Sequence, residues 1–296
     1  MKKRVIKKSP PKKAQLRNPF QTIDNSYVPP GKFILIYGEP GMYKTTTAAQ
    51  APDSLFVTTA DEKGILEAIQ ASVVPTTIED VVVLDSVSPQ GEIPLGGHPG
   101  WKLLIDTLDT FSQEDHKYKS VIIDTASGLQ GLCHQHTASM LYDGDMNNPQ
   151  GFMNYQQGYL KAAEQFWNGQ FLRSCNEITA KGLNVILICH CCTMAVPNLG
   201  GAEYECYAPE LIRGAKKENI YEYTMKTVSA ILYFGKQVIT TTNEKKKRRV
   251  GSQINFIGVQ DQGWYKAKNW YNLQNEIDMG DSAQETWSLL TSHLPV

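Results

Sequence analysis

The sequence predicts an α/β protein with a mostly parallel central sheet flanked by helices, and three observations predict it. Short apolar runs recur at Phe33 to Tyr37, Leu55 to Thr58, Val81 to Leu84, Val121 to Ile123 and Val185 to Cys189. Each lacks the polar alternation of a half-solvated strand and is too short for a helix, so each reads as a strand buried on both faces. Stretches with one-face helical spacing lie between them, and strands alternating with helices imply parallel pairing. After residue 226 the pattern changes to strand-like runs separated by turn residues, which predicts a C-terminal antiparallel extension over about 226–270.

Taken in order, residues 1–30 lack apolar periodicity and contain Pro10, Pro11, Pro29 and Pro30, which predicts a flexible arm ending in a turn. The first strand, FILIY, stops at Gly38, and TTTAAQ from Thr45 to Gln50 starts the first helix. Trp101, Leu104, Ile105, Leu108 and Phe111 share one helical face, as do Leu160, Ala163, Trp167, Phe171 and Ile178. Asn168 and Gly169 predict a break in that second helix. The extension is expected as four strands, Val228 to Phe234, Gln237 to Thr242, Gln253 to Val259 and Trp264 to Lys268. With no internal repeat, residues 31–296 are expected to form one domain.

Composition excludes several classes. With 41% hydrophobic and 20% charged residues the chain is neither disordered nor collagenous. No run approaches the ~20 apolar residues that span a bilayer. The basic start is followed by no apolar segment of the signal-peptide kind, so a cytoplasmic protein is expected. Six cysteines, three of them inside or beside the run ending ICHCC, fit reduced thiols. A zinc site at Cys189, His190, Cys191 and Cys192 is disfavoured because strand neighbours point to opposite faces and no C-x-x-C partner occurs. The net charge of −1 conceals an asymmetry. Eight cations and no acid lie in residues 1–20, which leaves 21 cations against 30 acids on the body.

The densest signal is Gly38, Glu39, Pro40, Gly41, Met42, Tyr43, Lys44, Thr45, Thr46, directly after the first strand and at the start of a helix. A phosphate group needs N–H groups converging from a tight turn, a helix N-terminus, a lysine for the outer phosphates and a hydroxyl for magnesium. Strand, glycine turn, Lys44, Thr45 and helix supply these in order. Tyr43 stands where the pattern has its second glycine, so the loop either opens or turns the tyrosine outward. Asp124 ends the strand SVIID, where a carboxylate orients a magnesium shell; the same position also suits a helix N-cap. Glu62 in TTADEKG is the candidate general base with Asp61 as runner-up, and both also read as solvated loop acids.

GEPGMYKTT, the acidic turn after LFVTT, VIIDT, NVILICH and a late YKAKN together resemble the RecA-like P-loop ATPases. They are most similar to the phage-type AAA-domain nucleotide-binding proteins, which include phage RecA-like single-strand annealing proteins. The resemblance spans about Phe33 to Ile277 and is most specific at the phosphate loop. It implies ATP and Mg2+ as cofactors, with Thr45 and Asp124 at the metal and Glu62 activating water. Thr125 follows Asp124 here, so the adjacent glutamate base of typical AAA+ ATPases is absent. The resemblance further implies that His190 senses the γ-phosphate, where its residues alone read as a satisfied core histidine. It also implies that Lys266 and Lys268 reach a neighbouring subunit's nucleotide, where the bland reading is an edge-strand guard.

The run Lys245, Lys246, Lys247, Arg248, Arg249 and the N-terminal arm are candidate nucleic-acid contacts, although charge runs are also found on solvated turns and tails. Tyr142, Tyr155 and Tyr204 lie in regions that hold DNA-binding loops in RecA-like proteins. The expected function is therefore an oligomeric ATPase acting on single-stranded DNA in phage-type recombination or replication, in a bacterial cytoplasm if phage-encoded. Two alternatives remain open: a small-molecule phosphotransferase, which would need lid arginines, and a non-hydrolysing, nucleotide-gated assembly factor.

Overall fold

The structure, a computed structural model, describes residues 29–85, 93, 95–198, 200–214, 217–242, 248–274 and 276–294. The basic arm up to residue 28 and Lys245, Lys246 and Lys247 lie outside the described residues. Arg248 and Arg249 are described by backbone position only.

The apolar runs form β1 (Phe33–Gly38), β2 (Ser54–Thr59), β3 (Val81–Leu84), β4 (Ser120–Asp124) and β5 (Asn184–Cys189). β1 pairs in parallel with β5, β5 with β4, β4 with β2 and β2 with β3. Because side chains alternate along a strand, each run feeds two cores. Phe33, Leu35 and Tyr37 join Val121, Ile123, Val185 and Leu187 on one face. That face is covered by α3 (Pro99–Gln113), α4 (Ala126–Leu141) and the helix beginning at α5 (Gln157–Lys161). Ile34, Ile36, Ile122, Ile186 and Ile188 face the other way. There they meet α1 (Lys44–Ala48), α2 (Gly64–Gln70) and α8 (Ala283–His293). Each fully buried isoleucine or leucine is worth about 1.5–3 kcal/mol, which is why the runs tolerate no polar alternation.

Three features differ from the sequence expectation. The helix does not break at Asn168 and Gly169. It continues from α5 through a π-helical stretch, Ala162–Leu172, into α6 (Arg173–Ala180). Buried Trp167 donates to the Thr224 hydroxyl at 2.9 Å, and the Trp101 indole N–H donates to Gln170 at 3.1 Å. Such contacts outweigh a glycine penalty of about 1 kcal/mol.

The expected strands on either side of Gly235 are one strand, β8 (Ala230–Thr242). Gly235 is no turn residue; a Cβ there would lie 2.2 Å from the Tyr233 ring, so its role is close approach. β8 is parallel to β1 from Ala230 to Phe234 and antiparallel to β9 (Arg248–Gly258) from Tyr233 onward. Its first half therefore belongs to the parallel core, and the antiparallel extension starts only beyond it. Among the described residues the sheet has nine strands, eight in the order β11-β9-β8-β1-β5-β4-β2-β3, with β11 at Glu276–Asp278, and a ninth, β10 (Lys268–Asn269), paired to β8 off that path.

The third difference concerns Trp264 to Lys268. Tyr265 makes an isolated bridge to Tyr207, and the strand β10 is Lys268–Asn269, paired to Ile231 and Ala230 of β8. Lys266 and Lys268 therefore have separate partners. Lys266 pairs with Asp261 at 3.0 Å. Lys268 donates to the carbonyls of Met225, Lys226 and Val228 at 2.9, 3.0 and 2.6 Å, closing the C-terminus of α7 (Ile220–Thr227). A cation there satisfies orphan carbonyls and complements the helix dipole. Lys268→Met should lower stability by about 1–3 kcal/mol and leave nucleotide affinity unchanged. Chemical denaturation read beside a nucleotide titration checks it, and lost affinity with unchanged stability would contradict the capping role.

Candidate nucleotide-binding site

Parallel pairing places the carboxyl ends of β1, β2, β4 and β5 on one edge, and β1 reaches β2 only by crossing over β5 and β4. Ligands of open α/β sheets bind at such crevices. The loop from Gly38 to Lys44 fills this edge. Gly38 ends β1 at φ 158°, and a Cβ on it would lie 2.1 Å from the Phe234 carbonyl oxygen, so no larger residue fits. Gly41 has φ 80°, and Met42 is buried in the lower core, which anchors the loop. Tyr43 has φ 56° and is 52% exposed. The glycine of the usual pattern takes this left-handed conformation without penalty, whereas an L side chain costs about 1–2 kcal/mol. The loop thus keeps the glycine backbone while its tyrosine is largely solvated.

Lys44 is buried, and its ammonium donates to the carbonyls of Gly38 and Glu39, each at 2.9 Å. Burial lowers its pKa, against the pull of Asp124. The Thr45 hydroxyl donates to Asp124 Oδ2 at 2.8 Å. Asp124 is 3% exposed, and burial raises its carboxyl from 3.8 to about 6, opposed by the Thr45 hydrogen bond. The N-cap of α4 is not Asp124 but Thr125, whose hydroxyl accepts from the Gly128 N–H at 3.0 Å. A hydroxyl beside a buried carboxylate is a hard-oxygen donor set, which suits Mg2+ held mainly by phosphate and water. Thr46 turns back to the Tyr43 carbonyl at 3.1 Å.

Glu62 Oε1 accepts from His190 Nε2 at 2.9 Å and from the Thr125 hydroxyl at 3.3 Å, whereas Asp61 is exposed. The His190 hydrogen bond holds the Glu62 carboxyl below its usual range, and Glu62 raises the imidazole in return. The His190 N–H donates to Ser127 Oγ at 3.0 Å, and that hydroxyl donates to the Glu210 carbonyl at 3.1 Å. His190 is thus an edge residue with an acid partner, unlike a satisfied core histidine. Two antiparallel strands follow it, β6 (Cys191–Val196) and β7 (Tyr204–Pro209).

Several expected residues are not brought here. Lys268 pairs with β8 near that strand's amino end, away from the phosphate edge, and Lys266 is engaged by Asp261. The expected strand with both lysines on one face is absent, since only Lys268 lies in β10. Lys245, Lys246, Lys247, Arg248 and Arg249 have no described side chains. Cys191 and Cys192 meet backbone carbonyls, and among the described residues no group of three or more His, Cys, Asp or Glu side chains is placed to hold a metal ion. Tyr155 is 89% exposed, while Tyr142 packs edge-on against Phe152. Sequence reasoning missed Thr125, Ser127 and Lys236. Thr125 was legible as a cap before ASGL; nothing local marks Ser127, or Lys236, which pairs with Glu39 at 3.1 Å.

Two predictions concern this edge. The folded Asp124 carboxyl titrates above its ordinary value, so the folded state binds the extra proton, and stability falls as pH rises from about 4 to about 6. Without ligand, Asp124→Asn should raise stability at pH 8 by on the order of 3 kcal/mol, read as a higher melting temperature, and the gain should vanish near pH 4. Equal melting temperatures at both pH values would contradict the buried-charge account. Tyr43→Gly removes the left-handed penalty at a chain-entropy cost of about 0.5–1 kcal/mol, so stability should hold and any nucleotide turnover should rise. A marked fall in turnover would make the tyrosine a working contact.

The family described as AAA domain matches residues 31–253. Among solved structures, the chain is similar to the flagellar accessory protein FlaH from Methanocaldococcus jannaschii. Identity is 12% and the TM-score 0.42, covering 85% of this chain and 86% of that one. The KaiC-like protein PH0186 from Pyrococcus horikoshii OT3 is similar at 12% identity and a TM-score of 0.40, covering 86% and 88%. No curated protein sequence matches the chain. No helix among the described residues is long and apolar enough to cross a membrane. With the family match spanning the loop, the Asp124 strand and the His190 strand, the chain belongs to the family described as AAA domain.

Proposed function

We propose that residues 31–296 act as one ATPase domain that binds Mg-ATP on Gly38–Thr46 and hydrolyses it, working as a homo-oligomer on single-stranded DNA. The observation that carries the ATPase reading is the pair of contacts flanking the loop, Thr45 to Asp124 and Glu62 to His190. Bound Mg2+ supplies charge neutralisation on the phosphates. Lys44 neutralises the outer phosphates, and Thr45 with Asp124 orients the metal shell. Glu62, kept ionised by its hydrogen bonds, takes a proton from the attacking water. His190 moves between Glu62 and the γ-phosphate, so that the base is released when a triphosphate is present.

The DNA reading rests on the resemblance to phage-type recombination and replication proteins. It is supported by the basic run 245–249 in the sequence. A small-molecule phosphotransferase has less support, because Arg173 pairs with Glu177 and Arg213 approaches Glu222. Both guanidinium groups face carboxylates rather than the phosphate loop's lysine and threonine. The non-hydrolysing alternative is favoured by one observation, the side chain of Tyr43 in the loop.

Phosphate release from Mg-ATP, with and without single-stranded DNA, separates these readings. Turnover should be stimulated by DNA, Lys44→Ala should abolish nucleotide binding without unfolding, and Glu62→Gln should cut turnover by about 10²–10⁴ while sparing binding. Binding without turnover in the parent chain would establish the assembly-factor reading. Turnover that needs a small acceptor would establish the phosphotransferase.

A further inference from the structure

We propose that Thr125 is the positioning residue for the water-activating carboxylate: its hydroxyl pins Glu62 Oε1 and leaves Glu62 Oε2 to take the proton from water. This role rests on the reading of Glu62 as the general base of the ATPase and adds the group that aims it. β2 pairs with β4 as far as Thr58 and Asp124, so the turns that leave the two strands start side by side. The turn carrying Glu62 is fixed twice at its backbone. The Glu62 N–H donates to the Thr59 carbonyl at 2.9 Å, and the Thr58 hydroxyl donates to the Glu62 carbonyl at 3.2 Å. The carboxylate is held from across the sheet. Its hydrogen bonds among the described residues, with His190 at 2.9 Å and Thr125 at 3.3 Å, both arrive at Oε1. Oε2 is the oxygen left for a ligand.

The two partners of Oε1 differ in their freedom to move. The His190 side chain is 42% exposed and turns to the γ-phosphate when a triphosphate is bound. Thr125 is 2% exposed, and its hydroxyl oxygen accepts the Gly128 N–H at 3.0 Å as the N-cap of α4. A hydroxyl has one proton to donate, and here that proton goes to Glu62. Once His190 leaves, Thr125 alone keeps Oε1 in place. Without it the carboxylate would sweep the broad range its last torsion allows. With it, Oε2 keeps one direction, and the proton of the attacking water passes to Oε2 as the water oxygen bonds to the γ-phosphorus. The bond from phosphorus to the bridging oxygen breaks, and that oxygen leaves on the diphosphate with the electron pair. Thr125 acts only through Glu62, so it serves the chemical step and not the binding of nucleotide.

Phosphate release from Mg-ATP by the full chain tests this role. Thr125→Val, close in shape and lacking the hydroxyl, should lower kcat by about tenfold with KM unchanged within about threefold. Thr125→Ser should return kcat to within about threefold of the parent. Placed in Glu62→Gln, Thr125→Val should cost less than about twofold more, because a residue that acts through Glu62 then has nothing to aim. If the valine variant loses its fold, Thr125→Gly makes the same test, since glycine is nearly as good an N-cap and has no hydroxyl. Parental turnover without the hydroxyl, a serine variant as slow as valine, or an equal loss in the Glu62→Gln background overturns the positioning role and leaves Glu62 as the base. Parental turnover in Glu62→Gln, or a parent chain without turnover, overturns the general-base reading and the role of Thr125 with it.

Discussion

Parallel pairing of β1, β5, β4 and β2 is the constraint from which the site follows. A tight turn cannot join parallel strands, so the chain must leave each strand and return along the sheet's face. Every departure then occurs at the same edge. Gly38 to Lys44, Thr59 to Gly64 and Asp124 to Ala126 are three strand-to-helix turns stacked along it. Lys44, Glu62 and Thr125 are residues of these turns, and Asp124 and His190 end strands at the same edge, held by strands that are buried on both faces and leave little freedom of placement.

That arrangement concentrates charge where water is scarce. Lys44 and Asp124 are both buried, and each has its charged form disfavoured by that burial. The structure relieves the cost only in part, through two loop carbonyls for the lysine and one hydroxyl for the aspartate. An anion with a divalent cation is the complement such a pair lacks. Glu62 and His190, half-exposed and mutually bonded, need no such complement in the empty state. The edge thus holds a deep pair suited to a charged ligand and a shallower pair suited to change when one arrives.

The backbone carries its own share of the design. The left-handed turn at residue 43 is made with a tyrosine in it, at the cost of the strain a glycine would avoid. Close approach of Gly38 to the Phe234 carbonyl brings β8 against the loop, and Gly235 leaves room within β8 for the Tyr233 ring. Gly38 thus joins the end of β1 to β8 at the phosphate edge.

Much of this was legible in the chain itself. The apolar runs, the helical faces and the order strand, glycine turn, Lys44, Thr45, helix determined the fold class and the phosphate loop, because each is a local pattern read within about a dozen residues. The break at Asn168 and Gly169 and the strand over Trp264 to Lys268 were misread for a matching reason. Packing around Trp167, and the pull of the α7 carbonyls on Lys268, act from residues tens of positions away. The partners within the site were beyond reach as well. Thr45 and Asp124 are 79 residues apart, Glu62 and His190 are 128 apart, and Glu39 meets Lys236 from the other end of the sheet's sequence. Strand order and register set which of these side chains face one another. No local periodicity encodes that order, so only the folded sheet decided it.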